Sequence, residues 1–274
     1  MLERLKYMNH LNEVIDFGKD GIFVNMNDLH DYSWTVTKKN NRISTLDRTV
    51  ENRKLPVIIC CASDAEGLAA RNRLMDVAER DVLAMKHGKI IIGDYYLRCF
   101  ITKSVKTKYL NSRQTINITL TLTTDFPYWV KESVFAFRKL TGGVESAQLD
   151  YSMDYPYDFT NTTGVRDMTN TALTGTEFKM LIYGPCSNPA VYVGGHEYKV
   201  SCDVGANEYL LIDSVAKTVT LVKNGGATEN KFRYRGTDHY IFERIPTGKT
   251  TVSWEGDYGI DITLLEERSE PKWT

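Results

Sequence analysis

Glu177-Phe178-Lys179-Met180-Leu181-Ile182-Tyr183 sets Phe178, Met180 and Ile182 on one face of an extended segment, the period-two pattern of a half-buried strand. It opens a series of eight candidate strands in about ninety residues, each bounded by Gly, Pro, Asn or Asp. Tyr198/Val200/Cys202, Tyr209/Leu211, Val219/Leu221, Tyr240/Phe242, Val252/Trp254 and Ile260/Ile262/Leu264 carry the alternation onward. Asn224-Gly225-Gly226 follows one of these strands, and a tight turn there needs positive φ at both central positions. Short strands at this spacing specify a sandwich or barrel.

The same pattern recurs toward the N-terminus. Ile116, Ile118, Leu120 and Leu122 alternate with Thr115, Asn117, Thr119 and Thr121, and Pro127 ends that strand before Tyr128-Trp129. Gly21–Val24, Tyr32–Val36 and Lys54–Cys60 read as earlier strands. Ser63 with Glu66 three residues on makes a capping box, and Ala70, Leu74, Val77 and Ala78 form the apolar stripe of a helix near 64–80. Asp81 would fall inside that stripe. The helix is therefore ended near Arg80, with Val82–Met85 leading into a hairpin at His87-Gly88 and one long strand from Ile90 to Ile101. On that strand Tyr95, Leu97, Cys99 and Ile101 share a face.

Residues 131–176 lack sustained periodicity. The expected organisation is a mainly β chain, with an N-terminal β-barrel carrying one α-helix over 1–135, a connector over 136–176 and a C-terminal β-sandwich over 177–274. At 274 residues, with 42% hydrophobic and 25% charged residues, the chain is long enough for two such cores.

Lys and Arg number 34 against 35 Asp and Glu, for a formal net charge of -1. This gives no general attraction to phosphate backbones or anionic lipid, so neither tight nucleic-acid binding nor a membrane is expected. The charged opening of the chain does not fit a signal peptide. The expectation is synthesis in the cytoplasm, with exit only by lysis or within a particle. Cys60, Cys61, Cys99, Cys186 and Cys202 lack metal-ligand spacing and read as buried thiols.

No phosphate-binding Gly-Lys-Ser/Thr loop, His-Glu-x-x-His or Gly-x-Ser-x-Gly elbow occurs, so no catalytic residue, cofactor or metal is nominated. The five histidines are scattered. Asp150, Asp154 and Asp158 lack the central glycine of a calcium loop. Trp34, Trp129 and Trp254 could stack on sugar, but Trp254 shares the core-facing side of Val252 and Trp129 fits a packed corner. Lys103, Lys106, Lys108 and Arg113 mark a basic hairpin, and a long hairpin with a free edge suits an inter-subunit contact.

Further motifs carry a family likeness. Gly93-Asp94-Tyr95-Tyr96, the strand ending in Phe126-Pro127-Tyr128-Trp129, Ile182-Tyr183-Gly184-Pro185, Asn207–Asp213, Asn224-Gly225-Gly226, Ile245-Pro246-Thr247-Gly248 and Arg268-Ser269-Glu270-Pro271-Lys272-Trp273 occur in one order over nearly the whole chain. In that order the chain resembles the distal tail (Dit) proteins of long-tailed, siphovirus-type bacteriophages. Tyr95, Tyr96, Pro127, Trp129, Asp213, Gly225, Pro271 and Trp273 are the structural positions on which the likeness rests.

The resemblance implies a ring-forming N-terminal barrel and a galectin-like C-terminal sandwich. It further implies a homohexameric hub at the virion's tail tip or baseplate. The implied partners are the tail tube protein, a tail-associated or tail-fibre protein, the tape measure protein and receptor-binding proteins. No catalytic residue is carried over. Two alternatives share the architecture, a carbohydrate-binding host-adhesion module and a tail-associated hydrolase, and fold alone does not choose among them.

Overall fold

The computed structural model describes residues 4–107, 113–139 and 164–272, and these are mainly β-structure. The chain forms two compact units, Met1–Lys131 with Glu267–Thr274, and Glu132–Glu266.

The first unit comprises β1 (Leu5–Met8), β2 (Val14–Asp16), β3 (Ile22–Val24), β4 (Thr35–Lys39), β5 (Arg42–Asp47), β6 (Glu51–Cys60), α1 (Asp64–Ala84), β7 (Gly88–Ile92), β8 (Tyr95–Thr107), β9 (Thr115–Thr124) and the start of β10 (Trp129–Phe137). An antiparallel ladder runs β2-β1-β7-β8-β9-β6-β3. Its end strands are consecutive in the chain, and the Gly18 N–H donates to the Ile22 carbonyl between them. The sheet therefore curls round on itself as a barrel does.

The barrel core is the alternation already visible in sequence. Ile116, Ile118, Leu120 and Leu122 point inward with Leu55, Val57, Ile59, Leu97 and Cys99. Each such side chain, fully buried, contributes about 1.5–3 kcal/mol. Helix α1 lies against β2, β6 and β8, burying Ala70, Leu74, Val77 and Ala78. Ser63 Oγ accepts the Glu66 N–H at 3.3 Å, and Glu66 accepts the Ala62 N–H in return.

Two readings of this unit are corrected. The helix continues past Arg80 to Ala84 and ends at Met85 in the left-handed conformation, so Val82–Met85 is helix and its cap. Asp81 does not end the helix, because the core supplies its hydrogen-bond donors. The stretch Ile90–Ile101 is two strands split at Gly93 (φ +55°) and Asp94, a two-residue hairpin turn that the apolar run conceals.

The second unit contains β11 (Gly164–Asn170), β12 (Glu177–Tyr183), β13 (Cys186–Ser187), β14 (Ala190–Val193), β15 (His196–Lys199), β16 (Asp203–Val204), β17 (Tyr209–Asp213), β18 (Thr218–Val222), β19 (Thr228–Asn230), β20 (Gly248–Trp254) and β21 (Ile260–Arg268, as far as Glu266). One sheet runs β19-β18-β17-β12-β21 and the other β11-β20-β14-β15. Phe178, Met180, Ile182, Leu210, Ile212, Ile260 and Ile262 of the first sheet share a core with Met168, Val191, Val193, Tyr198, Val252 and Trp254 of the second. That is a β-sandwich. Trp254 donates its indole N–H to the Tyr258 carbonyl at 2.9 Å, and the Tyr258 hydroxyl donates to the Ala190 carbonyl at 2.8 Å.

Three details here differ from the sequence reading. Gly164–Asn170, read within the connector, is a strand paired with β20 over its full length; its inward positions Gly164, Met168 and Asn170 include only one large apolar residue, which hides the alternation. On β17 the buried face is Leu210/Ile212, because Tyr209–Ile212 is apolar on both sides and period alone cannot choose between them. Tyr240–Phe242 lies outside any strand, with Ile241 and Phe242 buried from a loop.

Candidate functional site

The described residues contain no group of three or more His, Cys, Asp or Glu side chains able to hold a metal. Among them, no helix is long and apolar enough to cross a membrane. All five cysteines are free, but only Cys99 and Cys202 are buried, whereas Cys60 is exposed and Cys61 and Cys186 are partly so. The expectation of five buried thiols is corrected to that extent; Cys60 ends β6, where the strand alternation turns it outward.

The positions that carry the likeness are spread through the scaffold, and most make turns or fill cores. Tyr95 is buried at the start of β8, and Tyr96 beside it has the Lys89 ammonium 4.3 Å from its ring centre. Pro127 and Trp129 are both buried at the corner between β9 and β10. Asp213 accepts the N–H groups of Val215 and Ala216, each at 2.9 Å, and so shapes the β17–β18 turn. Gly225 and Gly226 take φ +97° and +86° in the turn after β18, values open to glycine. Pro271 is buried near the C-terminus. Trp273, Lys108 and Asp150, Asp154 and Asp158 lie outside the described residues.

Lys103 and Lys106 are exposed on β8, and Lys106 donates to Ser104 Oγ at 3.0 Å. Strand β7 pairs with β8 only as far as Cys99. From Ile101 onward the described part of β8 has β9 as its ladder partner. Arg113 is exposed, and its carbonyl lies so close to α1 that a Cβ on Gly67 would stand 2.1 Å from it. Lys103 and Lys106 thus stand on β8 and Arg113 just before β9, beside the start of the helix.

A projection was only half visible in sequence. Strands β4 and β5 pair with each other alone and form a two-stranded ribbon with every residue exposed. At its base the Arg48 guanidinium lies 5.7, 5.8 and 5.1 Å from the ring centres of Tyr32, Trp34 and Tyr128. The same guanidinium donates twice to Glu51, both at 2.9 Å. Trp34, considered above for sugar stacking, meets Tyr128 edge-on at 6.2 Å.

No family model matches the chain, and no curated protein matches its sequence. Solved structures do match. A chain from the phage P2 baseplate in its activated conformation with Ca aligns over 99% of this chain and 100% of its own, with 14% identity and a TM-score of 0.66. The same baseplate with Sr gives the same values. The Dit protein (gp 19.1) of SPP1, described as a paradigm of the hub adsorption apparatus in phages infecting Gram-positive bacteria, aligns over 96% of this chain and 99% of its own, with 10% identity and a TM-score of 0.60. Across both of its units, the chain has the fold of a phage baseplate and Dit hub protein.

Proposed function

We propose that the chain is a structural subunit of a phage tail tip or baseplate, forming a hexameric ring that joins the tail tube to tail-associated and receptor-binding proteins. The observation that carries this is the end-to-end fold match to baseplate and hub proteins, covering 96–99% of the chain. The physical features of the chain support it. A closed ring of identical subunits uses a heterologous interface, in which each copy brings two different complementary patches. The exposed β4–β5 ribbon and the stretch of β8 beyond its pairing with β7 are the surfaces offered for such patches. A near-neutral chain also suits a ring through which DNA must slide without being gripped.

The test is gel filtration with light scattering on the purified chain, followed by negative-stain imaging. The expected result is a mass of six times 31.3 kDa and open rings. A strict monomer at every concentration would count against the reading, and saturable glycan binding by that monomer would favour the adhesion module instead.

A further inference from the structure

The turn between β18 and β19 holds the one Asn-Gly pair in the chain, Asn224-Gly225. The Gly226 N–H donates to the Lys223 carbonyl at 2.9 Å, and the Lys223 N–H donates to the Ala227 carbonyl at 2.8 Å. Asn224 and Gly225 are therefore the central residues of a four-residue turn, and both are exposed. Among the described residues, neither the Asn224 side chain nor the Gly225 N–H has a hydrogen-bond partner. A Cβ on Gly225 would meet nothing within 4 Å, so the space beside its nitrogen is open.

We infer that Asn224 is a self-modification site, where the side-chain amide is lost through a succinimide. The Gly225 nitrogen gives up its proton and attacks Asn224 Cγ. A C–N bond closes a five-membered imide, the Cγ–Nδ2 bond breaks, and ammonia leaves with that proton. Water then adds to one of the two imide carbonyls. Opening at Cγ leaves aspartate at position 224. Opening at the main-chain carbonyl leaves isoaspartate, in which the chain runs through the former side chain and is longer by one methylene. Glycine favours the attack because it neither crowds the nitrogen nor restricts the backbone, and every other asparagine in the chain precedes a residue with a side chain. The one Asp-Gly pair, Asp20-Gly21, is unlike it, since Arg73 holds the Asp20 carboxylate at 2.8 Å and an ionised carboxylate resists attack.

The two products differ in what they do to the sandwich. Strand β19 is the end strand of its sheet and pairs only with β18. Turn type and loop length fix the register of such a hairpin, so a chain lengthened inside the turn costs β19 its pairing. Aspartate keeps the turn and adds one charge beside Lys223, whose ammonium already lies 2.9 Å from Glu229. The inference stands apart from the ring reading.

The test incubates the full chain at neutral and mildly alkaline pH and follows it by peptide mapping with electron-transfer fragmentation, which separates isoaspartate from aspartate. Asn224 is expected to convert before any other asparagine, and faster at the higher pH because the attacking nitrogen must lose its proton. Amide protection over residues 228–230 is expected to fall as isoaspartate accumulates, with both cores still protected. N224Q, in which ring closure needs six members, keeps its amide and that protection. An intact Asn224 at alkaline pH, or one that outlasts other asparagines, overturns the inference. Protection lost equally in freshly prepared N224D would assign the effect to charge and overturn the lengthened turn as its cause.

Discussion

Tyr7 donates its hydroxyl to Asp81 Oδ2 across 2.5 Å, and both side chains are wholly buried in the first unit. The other carboxylate oxygen of Asp81 accepts the His10 N–H at 2.8 Å and meets His10 Nδ1 at 2.6 Å. A carboxylate on the apolar stripe of α1 is thereby tolerated, because its hydrogen bonds are made inside the core. Replacing Asp81 by Ala leaves the Tyr7 hydroxyl and the His10 N–H without their acceptor, and is expected to destabilise the unit by about 3–5 kcal/mol. Tyr7→Phe removes one donor and should cost about 1–3 kcal/mol. Urea unfolding measures both. Equal, negligible losses would show that the cluster is not a structural hub.

The same cluster makes a pH prediction. Burial pushes the Cys99 thiol up to about 12. Burial, and then the hydrogen bond to Asp81, raises the Tyr7 phenol above its ordinary value. The folded state therefore holds these protons at pH values where the unfolded chain has released them. Their contribution is complete below the unfolded values of 9.0 and 10.0 and is lost as pH rises above them. The urea midpoint should be flat from about pH 7 to 8.5 and fall steadily toward about pH 11. An unchanged midpoint at the alkaline end would sink the assignment.

Gly67 tests how α1 sits against the β8–β9 hairpin. In a helix interior, alanine is ordinarily favoured over glycine by about 1 kcal/mol. Here the new Cβ would stand 2.1 Å from the Arg113 carbonyl oxygen, and a backbone atom cannot step aside as a side chain can. Gly67→Ala is expected to be destabilising by about 1–3 kcal/mol, with the sign itself as the readout in a thermal melt. A stabilised variant would mean that the hairpin moves freely away from the helix.

Arg48 holds the base of the β4–β5 ribbon through Glu51 and the rings of Tyr32, Trp34 and Tyr128. Lysine keeps the charge but not the planar fork or the stacking. Arg48→Lys should therefore raise amide exchange across residues 35–47 while leaving the cores protected. Exchange unchanged in the ribbon would show that the aromatic base does not order it.

How much of this was legible in the sequence depended on where each residue's partners lie. Ile116–Leu122 could be read because one face is buried and the other is polar, so a local period reports burial directly. Asp81 could not, since its partners Tyr7 and His10 are more than seventy positions away and a carboxylate on an apolar stripe resembles a helix end. Strand β11 was hidden because glycine and asparagine fill two of its inward positions, Gly164 beneath the Trp254 ring and Asn170 in a polar pocket. The basic hairpin announced itself by charge. The β4–β5 ribbon did not, because Ile43 comes onto the face of Val36 and Leu46 only through a register shift that no spacing rule reveals.

Asn170 gives the sharpest test of the second unit. Its buried side-chain amide donates toward Thr176 Oγ1, the Ile245 carbonyl and the Pro246 carbonyl at 3.1, 3.0 and 3.1 Å, while its oxygen accepts the Ala172 N–H at 3.1 Å. Thr247 adds hydrogen bonds from its hydroxyl to the Asn170 and Ala172 carbonyls, so one side chain ties the end of β11 to the loop before β20. Asn170→Ala leaves the Ala172 N–H and the surrounding carbonyls unpaired and should cost about 1–3 kcal/mol. Asn170→Asp keeps the shape and the acceptor but turns a carboxylate toward two carbonyl oxygens in a dry site, which should cost more than the alanine variant at neutral pH. Lowering the pH until the new carboxyl is protonated restores one donor and should narrow the gap between the two variants. If the aspartate variant were the more stable at pH 7, the site would not be dry and the amide's donors would not be what holds the loop.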